Sequence, residues 1–336
     1  MLFASAKPSQ RSFDFARQAV PLPGSWHVGE EAIMGTAVRV ELWCDQRRAG
    51  EAAVAAVMRE MHRIDRTMSP HKADSELSRI NREAATQPVP LSEEMFRLLE
   101  RAAAFSELSG GAFDISYASV GHLYDYRRGI QPSEETLASA RAAIGWQKVV
   151  LHPQLRTVRF AHQGVRIDLG GFAKGHAVDN CAAILRQRGI TNAFVSAGGD
   201  SRVIGDHRGR PWTVAIRDPR RAGEVVAVLP LEDTAISTSG DYERFFERDG
   251  VRCHHLIDPA TGKSPSSVHS VTILGPDGLT TEALSKTVFV LGVERGLRLV
   301  ESRPGVDAVV VDAAGALHFS TGLLDASARP QAQTRQ

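Results

Sequence analysis

The sequence is poor in cysteine, in lysine and in aromatic residues, and its charges nearly cancel. Three cysteines in 336 residues, with no two of them spaced as C-x-x-C, argue against a disulfide framework and against a zinc site built from cysteine. A formal net charge of +1 gives no electrostatic basis for binding nucleic acid or an acidic membrane surface. Only six of the 40 basic residues are lysines, so a lysine inside a motif stands out from the background.

The chain also lacks a long apolar run. Charged residues interrupt the first 20 positions, so no apolar signal-peptide core forms, and no segment approaches the roughly 20 apolar residues of a membrane span. We therefore expect a cytoplasmic protein without a membrane anchor. The hydrophobic content of 43% suffices for a full core, and we expect a flexible tail at 1–25, a single domain at 26–325 and a flexible tail at 326–336.

The apolar pattern predicts a chain in which helices and strands are mixed without strict alternation. Period-two patterns and apolar runs predict strands at 36–43, 146–151, 157–160, 165–169, 192–197, 212–217, 224–229, 268–274 and 306–311. Helical spacing predicts helices at 51–64, 92–108, 133–144, 281–291 and 294–301, and another whose apolar pattern begins at Ala177 and that ends at Gly189. This mixture predicts an α+β or mixed α/β fold.

The segment 168–179 combines an acid, a glycine pair and a lysine where a predicted strand meets a helix. Asp168 precedes Gly170–Gly171, and Lys174 follows in the first helical turn. Free N–H groups and the helix dipole favour an anion such as a phosphate at this kind of position. The Walker pattern fails at residues 176–177, and Phe172 interrupts the dinucleotide pattern. The segment alone is therefore equally typical of an unspecialised turn.

Short motifs rich in glycine, acid and hydroxyl residues recur along the rest of the chain. They are Gly-Gly-Ala-Phe-Asp at 110–114, Ala-Gly-Gly-Asp at 197–200, Ile-Ser-Thr-Ser-Gly-Asp-Tyr at 236–242, His-Leu-Ile-Asp-Pro-Ala-Thr-Gly at 255–262 and Thr-Thr-Glu-Ala-Leu-Ser-Lys at 280–286. In this order, and together with Met-Gly-Thr at 34–36 and the segment 168–179, these motifs resemble those of the ApbE family, the FAD:protein FMN transferases. The resemblance covers residues 32–325.

The resemblance implies a mixed α/β fold with a tunnelling-fold-like sheet flanked by helices. It implies that FAD is the substrate and that its pyrophosphate is cut. FMN would pass through a phosphoester bond to a Ser or Thr hydroxyl of an acceptor protein, with release of AMP. A divalent cation, usually magnesium, assists in the family. Two alternatives stay open: an FAD-binding protein without transferase activity, and a hydrolase of the FAD pyrophosphate.

The resemblance also assigns roles to individual residues. It implies three catalytic residues, which are His255, Lys174 and Glu282. The positions that would contact the flavin nucleotide are Met34, His71, Ala112, Phe113, Asp114, Asp168, Lys174, His255 and Ile257. The positions that would form the metal site are Gly171, through its carbonyl oxygen, and Glu282, Ser285 and Lys286.

The sequence departs from the family pattern at two of these metal positions. Glu282 and Lys286 stand where the family usually has Asp and Thr, and a protonated lysine cannot bind magnesium. In one interpretation the ammonium of Lys286 takes the place of the metal beside Glu282, and transfer slows or is lost. In a second interpretation the metal shifts and Lys286 touches only a phosphate. A third is an ordinary surface ion pair at i and i+4.

Overall fold

The computed structural model of this chain describes residues 24–328, with side chains up to Leu324. The predicted flexible tails, 1–25 and 326–336, fall mostly outside the described residues. The first described strand already begins at Ser25, and the last described helix ends at Ala328. The single domain at 26–325 stays a prediction.

Nine α-helices lie in the described part of the chain. Their bounds are α1 Arg47–Met68, α2 Glu76–Glu83, α3 Glu93–Leu108, α4 Ala118–Gly121, α5 Glu134–Arg141, α6 Ala173–Gln187, α7 Gly278–Leu291, α8 Val293–Glu301 and α9 Thr321–Ala328. None of the helices among residues 24–328 is both long enough and apolar enough to span a bilayer.

Fifteen strands lie between and around these helices in the same residues. Their bounds are β1 Ser25–Ile33, β2 Thr36–Cys44, β3 Val89–Pro90, β4 Val149–His152, β5 Thr157–Phe160, β6 Ala193–Ala197, β7 Asp200–Ile204, β8 Trp212–Arg217, β9 Val225–Leu231, β10 Ala235–Gly240, β11 Phe245–Arg248, β12 Val251–His254, β13 Val268–Gly275, β14 Asp307–Asp312 and β15 Leu317–Phe319.

One large antiparallel sheet dominates the fold. Eight strands pair in the order β1-β2-β6-β7-β10-β13-β14-β15, while β3-β5-β4, β8-β9 and β11-β12 form smaller sheets. Helices α1, α6 and α7 lie side by side and pack against strands of the large sheet. This arrangement confirms the expected α+β architecture, a sheet flanked by helices.

Local signals explain why several predicted helices form where they do. The Ser92 hydroxyl accepts a hydrogen bond from the N–H of Met95 at 3.2 Å, and Ser133 caps α5 through the N–H of Thr136 at the same distance. Both helices carry two acidic residues in the first turn, where the helix dipole favours negative charge. The predictions of helices at 92–108 and 133–144 are confirmed, although α5 is shorter.

The N-terminal ends of α6 and α7 approach each other through two glycines. A Cβ atom at Gly175 would lie 2.2 Å from the carbonyl oxygen of Gly278, which no side chain could tolerate. The close approach places Lys174, at the start of α6, beside the helix that carries Glu282 and Lys286. Glycine at these two positions therefore brings three of the predicted site residues together.

The predicted strand at 165–169 is wrong as secondary structure, although its pattern of burial is right. The side chains of Val165, Ile167 and Leu169 are buried in alternation, but the segment joins no sheet. Instead, the side-chain amide of Asn81 accepts from the N–H of Ile167 at 2.8 Å and donates to its carbonyl oxygen at 2.9 Å. A side chain thus replaces the neighbouring strand. Likewise, 146–148 forms a 3-10 helix, and β4 begins only at Val149.

Replacing Asn81 by Ala tests this substitute for a strand partner. The change leaves the N–H and the carbonyl of Ile167 without partners, and we expect the free energy of unfolding to fall by about 2 kcal/mol or more. Urea denaturation measures the loss. The neighbouring exposed change Arg82→Ala is the control and should stay within about 0.5 kcal/mol of wild type. Equal stabilities of the two variants would contradict this account of the segment.

Candidate functional site

A cavity of about 1110 Å³ lies where most of the predicted site residues converge. It lies just above the roughly 300–1,000 Å³ range of small-molecule pockets, so it has room for a dinucleotide. Its wall is built from the β1–β2 hairpin, the segment 112–117, the glycine turn before α6, strand β8, strand β10 and the segment 255–257.

Most of the predicted nucleotide-binding residues line this cavity. They are Met34, Ala112, Phe113, Asp114, Asp168, Lys174, His255 and Ile257. His71 does not join them, because it is exposed in the loop after α1 and is not part of the cavity wall. Its predicted contact with the flavin nucleotide has no support in this geometry and stays a prediction.

Met34 reaches the cavity from an uncommon backbone conformation. It forms, with Gly35, the two-residue turn between β1 and β2, and their φ angles are +55° and +69°. This turn matches the twist of a hairpin, but a methionine in the left-handed region is rare. The retained strain points to a role for the Met34 side chain at the cavity mouth.

Two predicted acidic residues shape the wall by holding backbone groups. Asp168 accepts the N–H of Gly170 at 2.5 Å and the hydroxyl of Tyr117 at 3.3 Å, which fixes the glycine turn. Asp114 accepts the N–H groups of Ser116 and Trp146, both at 2.8 Å. Burial raises the pKa of Asp114. The Asp114 carboxylate therefore acts as a structural support of the cavity wall.

The glycine turn offers fewer free N–H groups than its sequence predicts. The N–H of Gly170 is bound by Asp168, and those of Phe172 and Ala173 are bound by the carbonyl oxygen of Leu169. The side chain of Glu282 binds the N–H of Gly175 at 2.7 Å. The start of α6 is therefore largely satisfied from within the protein, and an anion in the cavity must find cationic side chains.

Lys174 is anchored between two buried carboxylates. Its Nζ lies 2.5 Å from Oδ2 of Asp200 and also contacts Oε1 of Glu282. Burial works to lower the pKa of Lys174, but the charges of the two carboxylates outweigh it, so its pKa lies above the usual value. The same ammonium group overcomes the cost of burial at Asp200 and holds the Asp200 pKa below its usual range.

Lys286 is the second ammonium group at the cavity, and its partners are more distant. Its Nζ lies 3.8 Å from Oε1 of Glu282 and 3.5 Å from Oγ of Ser285. The side chain of Glu282 is fully buried and that of Lys286 is 17% exposed, so the interpretation as a surface ion pair is wrong. Burial lowers the pKa of Lys286, against the charge of Asp200.

Three residues at this site, Asp200, Ser237 and Ser239, are assigned no role from the sequence. Ser285 lies 2.8 Å from the hydroxyl of Ser239 and 3.2 Å from that of Ser237, and Ser237 donates to Asp200 Oδ1 at 2.5 Å. Ser237 and Ser239 are two apart on β10, so both face α7. That spacing, and the acid after the glycine pair at 198–199, are the signals that could have identified Asp200, Ser237 and Ser239.

The predicted metal positions do not fit a magnesium ion. Both carboxylate oxygens of Glu282 are engaged, one by Lys174 and one by the N–H of Gly175, and Ser285 donates its hydroxyl to the carbonyl oxygen of Glu282. Magnesium prefers six oxygen ligands. The ammonium groups of Lys174 and Lys286 lie beside Glu282 instead. Among residues 24–328, no three His, Cys, Asp or Glu side chains gather in a way that could hold a metal.

His255 presents an unpaired imidazole at the cavity wall. Its backbone N–H donates to the carbonyl oxygen of Arg244 at 3.1 Å, but its buried Nδ1 has no hydrogen-bond partner. Burial, followed by the charges of Lys286 and Arg244, lowers the pKa of His255 to about 3. The ring is therefore neutral near pH 7.

The protonation of His255 can be tested directly by NMR. We expect its ring Cε1–H resonance, assigned by comparison with His255→Asn, to show no titration between roughly pH 5 and 8, because the neutral form is favoured well below the usual pKa of about 6.5. A titration midpoint near that usual value would contradict the burial argument.

The anchor around Lys174 predicts a large effect on stability. Lys174→Met leaves Asp200 and Glu282 buried without their cation, and we expect the free energy of unfolding to fall by about 3–5 kcal/mol. Lys263→Met is the matched control, because Lys263 pairs with Glu134 at the exposed surface. That pair should contribute about 1 kcal/mol or less, measured by urea denaturation. Similar losses in both variants would show that the buried anchor is not important.

The chain has clear relatives among known proteins. A sequence profile of the ApbE family matches residues 34–310. A FAD:protein FMN transferase of Treponema pallidum is 34% identical over 315 residues, which cover 88% of this chain and 87% of that protein. The crystal structure of an ApbE protein from Thermotoga maritima superposes with a TM-score of 0.83 at 34% identity, covering 89% and 98% of the two chains. The flavin transferase ApbE of Vibrio cholerae superposes with a TM-score of 0.80 at 28% identity, covering 90% and 99%. This chain therefore belongs to the ApbE family.

Proposed function

We propose that this protein transfers FMN from FAD to a Ser or Thr hydroxyl of an acceptor protein. The observation that carries the proposal is the meeting of the glycine turn, two ammonium groups and a neutral histidine in one cavity large enough for a dinucleotide. Two of its curated relatives, from Treponema pallidum and Haemophilus influenzae, bear the name of this activity.

The reaction exchanges a phosphoanhydride linkage for a phosphoester linkage. The hydroxyl oxygen of the acceptor attacks the phosphorus of the FMN half of FAD, and the bond from that phosphorus to the bridging oxygen breaks. FMN remains on the acceptor through a P–O–C linkage, and AMP leaves with the bridging oxygen. The hydroxyl proton passes to the imidazole of His255. Such a transfer depends mainly on positioning and on neutralisation of phosphate charge.

Each cavity residue supports a separate part of this reaction. Neutral His255 lines the cavity and serves as the general base. Lys174, paired with Asp200 and Glu282, fixes the start of α6 at the cavity wall. Glu282 lies beneath the wall rather than in it, so it acts as a positioning residue for Lys174 and α6.

Magnesium assistance, predicted by resemblance, is not built into this proposal. A bound divalent cation would neutralise phosphate charge, but both carboxylate oxygens of Glu282, which are predicted to hold it, are engaged within the protein. The cytoplasmic location and the Ser or Thr identity of the acceptor residue remain predictions, and no acceptor is identified by the cavity.

A second candidate, FAD binding without transfer, is favoured by the position of Lys286. An ammonium group beside Glu282 supplies one positive charge where a magnesium ion would supply two, and it lacks the coordination geometry of a metal. The third possibility, hydrolysis of FAD to FMN and AMP, requires only that water replace the hydroxyl.

Incubation with FAD and a panel of Ser- and Thr-containing peptides separates the three functions. Flavin fluorescence on a peptide, with release of AMP, is the expected result. AMP together with free FMN and no labelled peptide would establish hydrolysis, and intact bound FAD would establish a binding protein. Either of these outcomes would overturn the proposed transfer.

His255→Asn tests the role of the base in the same assay. Loss of the proton acceptor should lower the rate of transfer by about 10²- to 10⁴-fold, while FAD affinity changes only a few-fold. The rate is measured by AMP release and the affinity by quenching of flavin fluorescence. A variant that transfers at the wild-type rate would remove His255 from the mechanism.

A further inference from the structure

We propose that the ammonium group of Lys286 contacts the FAD diphosphate directly, and that this protein binds FAD without a divalent metal ion. The inference rests on the proposed function, because it concerns the same cavity and the same nucleotide. It follows from the contacts of Lys286, from the satisfaction of the glycine turn and from the commitment of Glu282.

The contacts of the two lysines differ in a way that leaves only one of them available. Lys174 is in close contact with Asp200 and Glu282, so both carboxylates already neutralise its charge. Lys286 has no contact shorter than 3.5 Å among the polar atoms described around it, and it forms part of the cavity wall. Of the two lysines, Lys286 is therefore the one that a phosphate in the cavity can engage at low cost.

The stem of Lys286 lies against the glycine turn. A Cβ atom at Gly171 would be 3.3 Å from Cγ of Lys286 and 3.6 Å from its Cε, so only a glycine leaves this side chain its full room. The N–H groups of Gly170 and Gly175 are bound by Asp168 and Glu282. The glycine turn thus leaves room for the side chain of Lys286. Its bound N–H groups cannot stabilise the phosphate charge, so Lys286 provides the positive charge.

The charges beneath the cavity are already balanced. Asp200 and Glu282 provide two negative charges, and Lys174 and Lys286 provide two positive ones. A divalent ion at Glu282 would have to displace Lys174 from its carboxylate and would add charge beside two ammonium groups. A diphosphate brings negative charge to this balanced site, and the loosely held ammonium of Lys286 can turn to it without losing a close partner.

FAD affinity measured with and without metal tests the inference. Wild-type protein in EDTA and in millimolar Mg²⁺ should bind FAD with dissociation constants within about twofold of each other. Lys286→Met keeps the apolar stem on Gly171 but removes the charge, and it should weaken FAD binding in EDTA by tenfold or more, as expected for a charge-assisted contact. Lys286→Arg should recover most of that loss.

Riboflavin is the control ligand, because it has no phosphate. Its affinity should be the same for wild type and Lys286→Met, which also shows that the variant has kept its cavity. A tenfold or greater requirement of wild type for Mg²⁺, or an unchanged FAD affinity of Lys286→Met in EDTA, would overturn the inference while leaving the proposed transfer intact. Failure of wild type to bind FAD under either condition would overturn both.

Lys286→Thr gives an independent arm with Mn²⁺ as the probe. Electron paramagnetic resonance of wild type with FAD should detect no Mn²⁺ bound beyond that held by FAD alone, since the ammonium group occupies the position. The threonine variant removes that charge and supplies a neutral oxygen, so it should bind Mn²⁺ more tightly than wild type by tenfold or more. Equal Mn²⁺ affinities of the two proteins would contradict the inference.

Discussion

The buried contact of Lys174 with Asp200 and Glu282 is the constraint around which the site is organised. It joins three elements that are remote in sequence, since Lys174 lies in the first turn of α6, Asp200 begins β7 and Glu282 lies in α7. Moving three charges out of water costs free energy, and only close mutual contacts offset that cost. The glycines at 175 and 278 permit the approach that makes such contacts possible.

This constraint also explains what the substitution at 286 does. Because Glu282 is held by Lys174 and by the N–H of Gly175, it has no free oxygen to offer a metal ion. A lysine one turn further along α7 then reaches the cavity without needing a carboxylate of its own. Glu282 and Lys286 are therefore consistent with each other, because the carboxylate is held within the protein while the ammonium group one turn along α7 forms part of the cavity wall.

Local signals predicted a large part of the fold. The N-cap serine, the acidic first turn and the apolar stripe of α3 all lie within one segment, and they place the helix to within a residue. The order of short motifs predicted most of the cavity wall, including Asp168, Lys174 and His255.

What the sequence could not predict depends on partners far along the chain. The segment 165–169 alternates like a strand, but its hydrogen-bond partner is Asn81, 86 residues away, and no local pattern indicates a side chain in place of a strand. The pairing of Lys174 with Glu282 spans 108 residues. A carboxylate at i and a polar group at i+4 are compatible with either a metal site or an ion pair. From the sequence alone, in which the pairing with Lys174 is not visible, Glu282 is therefore interpreted as a metal ligand. Only the three-dimensional structure shows which groups bind the carboxylate of Glu282.

The most direct test of the central claim is a crystal structure of the protein with FAD, grown in the presence of Mn²⁺ and measured at a wavelength where manganese scatters anomalously. We expect a phosphate oxygen of FAD within hydrogen-bond distance of Lys286 Nζ, and no anomalous peak between Gly171, Glu282 and the diphosphate. A manganese peak at that position, with Lys286 turned away from the phosphates, would contradict it.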